Sequence, residues 1–374
     1  MPGTPLGATI AGCAACSEDL ARSSASLVKA EHRLCLVPRI PGVAGPAGFQ
    51  RRLAEELQRR GIAVAYDLDD PTCDAALVIG GTRQLAGLLG VRRRGIAVIQ
   101  RLNGMNWIHR RRRTSLRHFL RAEVNNLLLR LIRDRIATGI VYQSEFARGW
   151  WERAYGVACA PASVVLNGVP LDVYSPQRRE SRPAEHIRLL VVEANLDSGY
   201  DIGLEWAVGL ARRLQGRAGR RVELAVAGRV PEPLRRQVES SARTLVTWLG
   251  LVPPDAIPAL DRSAHLLFAS DVMPACPNSV VEALACGLPV VSFDTGALPE
   301  LVLGNSGRIV PYGGDAWKLG PPDLDGLAEG ALEVVQANAE YRNGARARAE
   351  AGLNVQTMMD GYLSALGWGS GGGA

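Results

Sequence analysis

The stretch Pro277–Glu300, PNSVVEALACGLPVVSFDTGALPE, decides how the rest of the chain is read. Asn278 or Ser279 suits the cap of a short helix, and Gly287 suits its end in the left-handed conformation. The apolar run 289–293 (PVVSF) then reads as a buried strand. Gly296 allows a close backbone approach after it, before Pro299 starts another helix. Helix, short apolar strand and helix in succession are the unit of a parallel sheet covered by helices. The first-turn amides at 278–281 carry partial positive charge, which favours phosphate. Glu282 lies close behind them, with a carboxylate able to accept two hydrogen bonds from a vicinal diol such as a ribose.

The same alternation extends outward. Strands are expected at 187–192, 222–227, 245–249 and 265–269, with Ile202, Trp206, Leu210 and Leu214 marking a helix between the first two. Ahead of them the polar, proline-bearing segment Pro176–His186 (PQRRESRPAEH) reads as an interdomain linker. On its far side strands are expected at 34–40, 62–66, 75–79, 96–99, 136–142 and 163–166. A glycine-rich turn (Gly42, Gly45, Gly48) follows the first of these and leads into a helix with Phe49, Leu53 and Leu57 on one face. A helix over 114–133 gathers Leu116, Leu120, Val124, Leu127 and Leu131 on one apolar face, opposite an edge bearing Arg117 and Arg121. The expected architecture is α/β, two Rossmann-like lobes facing a cleft. Residues 31–177 form the first lobe, 178–186 the linker and 187–354 the second lobe. A helix in 355–368 packs back on the first lobe, residues 1–30 form a poorly ordered leader, and 369–374 form a flexible tail.

Composition agrees with this division. At 374 residues, 47% hydrophobic and 21% charged, the chain can fill two cores and is globular rather than disordered. No apolar run approaches the roughly eighteen residues of a membrane-spanning helix. No secretory signal is read at the N-terminus, so the expected compartment is the cytoplasm. Seven irregularly spaced cysteines argue against a disulfide framework, and Cys13 and Cys16 lack the further ligands of a zinc site.

The net charge of +6 is unevenly spread, since residues 91–135 hold thirteen arginines against only Glu123 and Asp134. The remainder of the chain is therefore acidic. Arg110, Arg111, Arg112, Arg113, Arg117 and Arg121 are the densest part of the patch. It suits peripheral contact with anionic lipid at the inner face of a membrane, or equally a solvated arginine-rich surface. Nucleic acid is the poorer partner, because the patch has one Trp and no recognised binding module.

The run from Glu282 to Val291 (EALACGLPVV), followed by Asp294–Glu300 (DTGALPE), resembles the donor-site core of the group 1 (GT4-type) GT-B glycosyltransferases. Asn167–Pro170 (NGVP), Tyr142–Phe146 (YQSEF) and Trp248–Gly250 (WLG) ahead of Pro258–Leu260 agree in order and spacing. The resemblance implies a nucleotide-sugar donor and a glycan or lipid-linked acceptor, as in polysaccharide biosynthesis. It also implies retention of configuration, with no metal and no cofactor. Glu282 would hold the nucleotide ribose, while the backbone of Asn278, Ser279 and Val280 would meet the diphosphate, with Gly296 close by. Catalysis would rest on positioning the acceptor and stabilising charge on the leaving phosphate.

Three positions depart from the family pattern. Pro274 stands where the first Glu of the E-x7-E motif is usual, and Glu193 and Ser198 stand where an Arg and a Lys are usual, with Gly199 retained. Two cations beside a diphosphate are thereby lost. Arg229, after the 222–227 strand, and Arg101, from the first lobe, are the candidate replacements; Asp271 is the candidate for the missing sugar contact. Arg229 and Arg101 read equally as surface residues, and Asp271 as a turn residue. Asn103 is a candidate for orienting an acceptor hydroxyl, and His109 a candidate base that reads as well as a solvated loop residue. Asp67-Leu68-Asp69 is turn chemistry before Pro71 rather than a metal-holding D-x-D. The alternatives to a transferase are a catalytically inactive binding protein of the same fold and a sugar-nucleotide epimerase or hydrolase.

Overall fold

The computed structural model describes residues 32–42, 45–112, 114–177, 182–197 and 201–369. The expected leader, Arg113, the middle of the linker, Ser198 with Gly199, and the tail from residue 370 lie outside the described residues.

Strands β1 (Arg33–Val37), β2 (Ala63–Ala65), β3 (Ala75–Ile79), β4 (Ala97–Leu102), β5 (Gly139–Tyr142) and β6 (Ala162–Val164) form one sheet in the order β2-β1-β3-β4-β5-β6. The second sheet holds β7 (Ile187–Asn195), β8 (Val222–Arg229), β9 (Val246–Gly250), β10 (Leu266–Phe268), β11 (Val290–Phe293) and β12 (Gly307–Val310). Its order is β12-β11-β10-β7-β8-β9. Every pairing in both sheets is parallel. Parallel strands are covered by helices on both faces, which is why β3 is a continuous apolar run and both it and β11 are buried throughout. The second sheet has the Rossmann order, and its order reverses between β7 and β10; in the first the reversal falls between β1 and β3. Crevices open at the carboxyl ends of strands at such points.

The C-terminal Val355–Leu366 helix leaves the second lobe and completes the core of the first. Its Met358, Met359, Tyr362 and Leu366 share a cluster with Leu34, Phe49, Leu53 and Val141. The crossing needs Gly168, where a Cβ would stand 2.2 Å from the Asn354 carbonyl oxygen.

The Leu116–Leu131 helix, capped by Ser115, faces opposite to what its pattern suggests. Leu116, Leu120 and Leu127 are 74%, 55% and 62% exposed, and Val124, Leu131 and Phe119 are exposed beside them. Ala122, Asn126 and Leu129 face the lobe instead. Asn126 is the anchor, accepting from the Asn106 amide at 2.9 Å and donating to its carbonyl at 2.8 Å. Arg117 and Arg121 are exposed alongside the apolar stripe, not opposite a buried one.

Candidate functional site

The carboxyl ends of the two sheets meet across a cleft of about 370 Å³. The Asn278–Ala285 helix opens into it, beginning at Pro277 with no side-chain cap. Asn278 does not cap, because its side chain is used between the lobes. Its Nδ2 donates to the Gly45 carbonyl at 2.9 Å, and its Oδ1 accepts from Asn167 Nδ2 at 2.9 Å. Gly45 and Gly48 therefore lie against the helix start, where a Cβ on either would stand 3.8 and 3.6 Å from Asn278 Nδ2. Gly42 has φ +96° and turns the chain before them, outside the cleft wall. Ser279 lines the cleft, while Val280 is wholly buried behind it.

Glu282 is paired across the lobes with Arg52, Nη1 to Oε1 at 2.7 Å. Burial lifts the Glu282 carboxyl above its ordinary range, and Arg52 opposes that lift. Arg52 comes from the Gly45–Arg59 helix, which the glycine-rich turn aims at the second lobe. It carried no motif signal, and a partner 230 residues away leaves none in a single sequence.

The two walls carry different titratable groups, carboxyls on one and guanidinium groups on the other. Glu193, at the end of β7, and Asp271, after β10, line the second-lobe side. Burial and then the nearness of Asp271 push the Glu193 carboxyl up to about 8. Burial likewise lifts Asp271 to about 6. The cations lining the cleft come from the first lobe: Arg51, Arg52 and Arg101. Arg101 is 2% exposed, lies 3.6 Å over the Phe49 ring and donates to Asn167 Oδ1 at 3.0 Å. Its Nε has no hydrogen-bond partner, and among the described residues no carboxylate pairs with it. Burial lowers its pKa, as for any cation so enclosed.

Several expected site residues are placed elsewhere. Arg229 is exposed at the end of β8 and is not part of the cleft wall; Gly228 lines it instead. A Cβ on Gly228 would stand 2.0 Å from the Glu193 carbonyl oxygen, so β8 is pressed against β7 just where Arg229 turns to solvent. Gly296, at φ +59°, stands behind the cleft: a Cβ there would meet Pro274 at 2.5 Å, and its bareness admits that segment rather than a ligand. His109 is neither solvated nor in the cleft. It is buried, with Nε2 2.8 Å from Glu123 Oε1, and its ring meets Phe119 edge-on. Arg110 also grips Glu123 through two hydrogen bonds, and these hold that carboxyl at about 2. Arg112 bridges the lobes to Asp201 at 2.8 Å, whereas Arg111 is exposed. Asn103 lines the cleft, its carbonyl fixed by Trp151 Nε1 at 2.7 Å. Asp67 and Asp70 make turn hydrogen bonds to Asp69 and Thr72.

Two further lobe-to-lobe contacts had no sequence signal, because their residues come from separate elements. Trp317 of the second lobe packs on Trp107 and Trp150 of the first, with ring centroids 5.3 and 4.9 Å apart. The Glu300 carboxylate accepts from the amides of Glu145 and Phe146 at 2.8 and 2.6 Å, capping the Glu145–Tyr155 helix from across the cleft.

Residues 188–336 match the family model described as Glycosyl transferases group 1. No curated protein matches the chain. Among solved structures, Anabaena HepE in complex with UDP and glucose superposes with a TM-score of 0.67 at 16% identity, covering 90% of this chain and 99% of that one. Sucrose-phosphate synthase from Thermosynechococcus elongatus gives 0.65 at 15% identity, covering 88% and 96%. WaaG, a glycosyltransferase involved in lipopolysaccharide biosynthesis, gives 0.64 at 13% identity, covering 91% and 100%. The fold is GT-B, two Rossmann-like lobes around a cleft.

Proposed function

We propose that this glycosyltransferase, with its group 1 domain in the second lobe, moves a sugar from a nucleoside diphosphate to a glycan or lipid-linked acceptor, retaining configuration and using no metal. The observation that carries the reading is Glu282 just inside a helix whose uncapped start opens into the cleft. The ribose diol donates to the Glu282 carboxylate, and the diphosphate sits on the first-turn amides of Ser279 and Val280. UDP and glucose in the HepE complex support a donor of this class.

Charge that develops on the leaving diphosphate needs cations aimed at it in a water-poor site. Arg101, fixed by Phe49 and Asn167, is such a cation, and among the described residues no carboxylate pairs with it. Glu193 and Asp271, lining the opposite wall, suit the sugar hydroxyls in place of the Glu that Pro274 replaces. Asn103 orients the acceptor hydroxyl, whose proton passes to the departing phosphate oxygen. The exposed leucine stripe bordered by Arg117 and Arg121 supports a lipid-linked acceptor met at an anionic membrane surface.

Calorimetric titration with UDP, GDP, ADP and their sugar conjugates tests the donor site. One nucleotide should bind, and Glu282→Ala should weaken it at least tenfold by removing charge-assisted hydrogen bonds. No binding by any of them would favour an inactive binding protein. Conversion of the donor sugar without an acceptor would favour an epimerase.

A further inference from the structure

The carboxylate assigned to the ribose is paired with Arg52 from the opposite lobe. We infer that Arg52 is an exchange residue: the incoming ribose diol displaces it from Glu282, and it turns to the diphosphate of the same ligand. The inference rests on the donor-site reading above and adds to it the source of a cation and a reason for selecting nucleoside diphosphates.

The geometry makes the exchange short. Arg52 Nη2 and Asn278 Nδ2 each lie 3.6 Å from the point where a Gly48 side chain would begin. One end of the guanidinium thus holds Glu282 while the other is already beside the start of the Asn278–Ala285 helix. A rotation of the side chain, with no shift of either lobe, carries it to a phosphate seated there. Arg101 has no such freedom, being held by Asn167 and Phe49, and Arg51 is exposed at the cleft edge.

The energetics select the ligand. Arg52 and Glu282 are only 9% and 13% exposed, and a buried ion pair that loses one partner leaves the other uncompensated. A free nucleoside brings hydroxyls for Glu282 but nothing for the displaced Arg52. A nucleoside diphosphate satisfies both at once. With Glu193 and Asp271 on the second-lobe wall, no cation among the described residues lining that side substitutes for Arg52. The ion pair therefore acts as a latch that opens at low cost only to a ligand with a diol at one end and an anion at the other.

The test is calorimetry of wild type, Arg52→Gln and Arg52→Lys with the nucleoside, monophosphate and diphosphate of whichever base the wild type binds. Arg52→Gln should bind the diphosphate at least tenfold more weakly than wild type, yet bind the nucleoside more tightly, because Glu282 no longer has a competitor. Arg52→Lys should keep the wild-type order of the three ligands. Equal weakening of nucleoside and diphosphate in Arg52→Gln would mean a merely structural pair and would overturn the exchange, as would an unchanged diphosphate affinity. A wild type that binds no nucleotide would remove the donor site itself, a distinct result.

Discussion

Replacing Leu120 and Leu127 together by Glu should abolish most affinity for an anionic membrane while leaving the fold intact. Full burial of a leucine side chain is worth about 1.5–3 kcal/mol relative to exposure. With 55% and 62% of these residues exposed, roughly 1–1.5 kcal/mol of that remains available at each for an acyl boundary. The pair therefore carries about 2–3 kcal/mol, or about 30-fold to 140-fold in partitioning, before the new charges are repelled by anionic headgroups. Arg117 and Arg121 add about 1 kcal/mol each near such a surface, and that part is screened by salt. The assay is co-sedimentation with phosphatidylglycerol-containing vesicles, beside pure phosphatidylcholine, at low and physiological salt. The unfolding temperature should not move, since neither leucine touches the core. Leu129→Ala, from the buried side of the same helix, should instead cost stability. A double variant that sediments like wild type, or a wild type indifferent to anionic vesicles, would refute the membrane role of the stripe.

Two further outcomes concern the cleft. Glu193 titrates at about 8 in the fold against the ordinary 4.5, so the fold favours its protonated form. That contribution is complete below about 4.5 and is lost as pH rises towards about 8. Unfolding temperature should fall across this window in wild type and fall less in Glu193→Gln; parallel curves would show that the cleft does not hold the carboxyl as described. Glu300→Ala removes the acceptor of two amides at the head of the Glu145–Tyr155 helix, and urea unfolding should register a loss of about 1–2 kcal/mol. An unchanged midpoint would mean that water replaces the carboxylate without cost.

Some of this was legible in the sequence. Ala75–Ile79 is five apolar residues between Asp74 and Gly80, and such a run, buried on both faces, is a parallel strand. Gly307–Val310 was not legible, because a four-residue edge strand containing Arg308 has no apolar signature. Ile136 reads as the start of β5, yet the preceding helix continues through Ile136 as a π-helical turn. Periodicity found the Leu116–Leu131 helix but not its orientation, since a helical stripe repeats identically whether it faces core or solvent. The polar anchor between Asn126 and Asn106 decides the matter. In the site, the helix start and Glu282 are local features and could be read directly. Arg229 and Arg101 looked alike as strand-end arginines. They differ because Arg229 extends past a tight contact between strands into solvent, while Arg101 ends a central strand under the C-terminal helix.

That difference changes where catalytic charge must come from. Were the cations on the second lobe, that lobe could bind a diphosphate by itself. Here its wall carries the Glu193 and Asp271 carboxyls, and among the described residues the cations lining the cleft belong to the first lobe. On the proposed donor site, a diphosphate on the second lobe alone would meet the dipole of an eight-residue helix, with no cation among the described residues of that lobe lining the cleft. Donor affinity at that proposed site would therefore be linked to closure of the lobes, and each contact that closes them would contribute to binding without touching the ligand. Trp317 against Trp107 and Trp150, Glu300 on the Glu145–Tyr155 helix and Arg112 with Asp201 are contacts of this kind. If only a fraction of molecules is closed, the apparent affinity falls by that fraction. On that reading, residues remote from the nucleotide would help set how well it binds, and the cationic side of the site would lie on the first lobe.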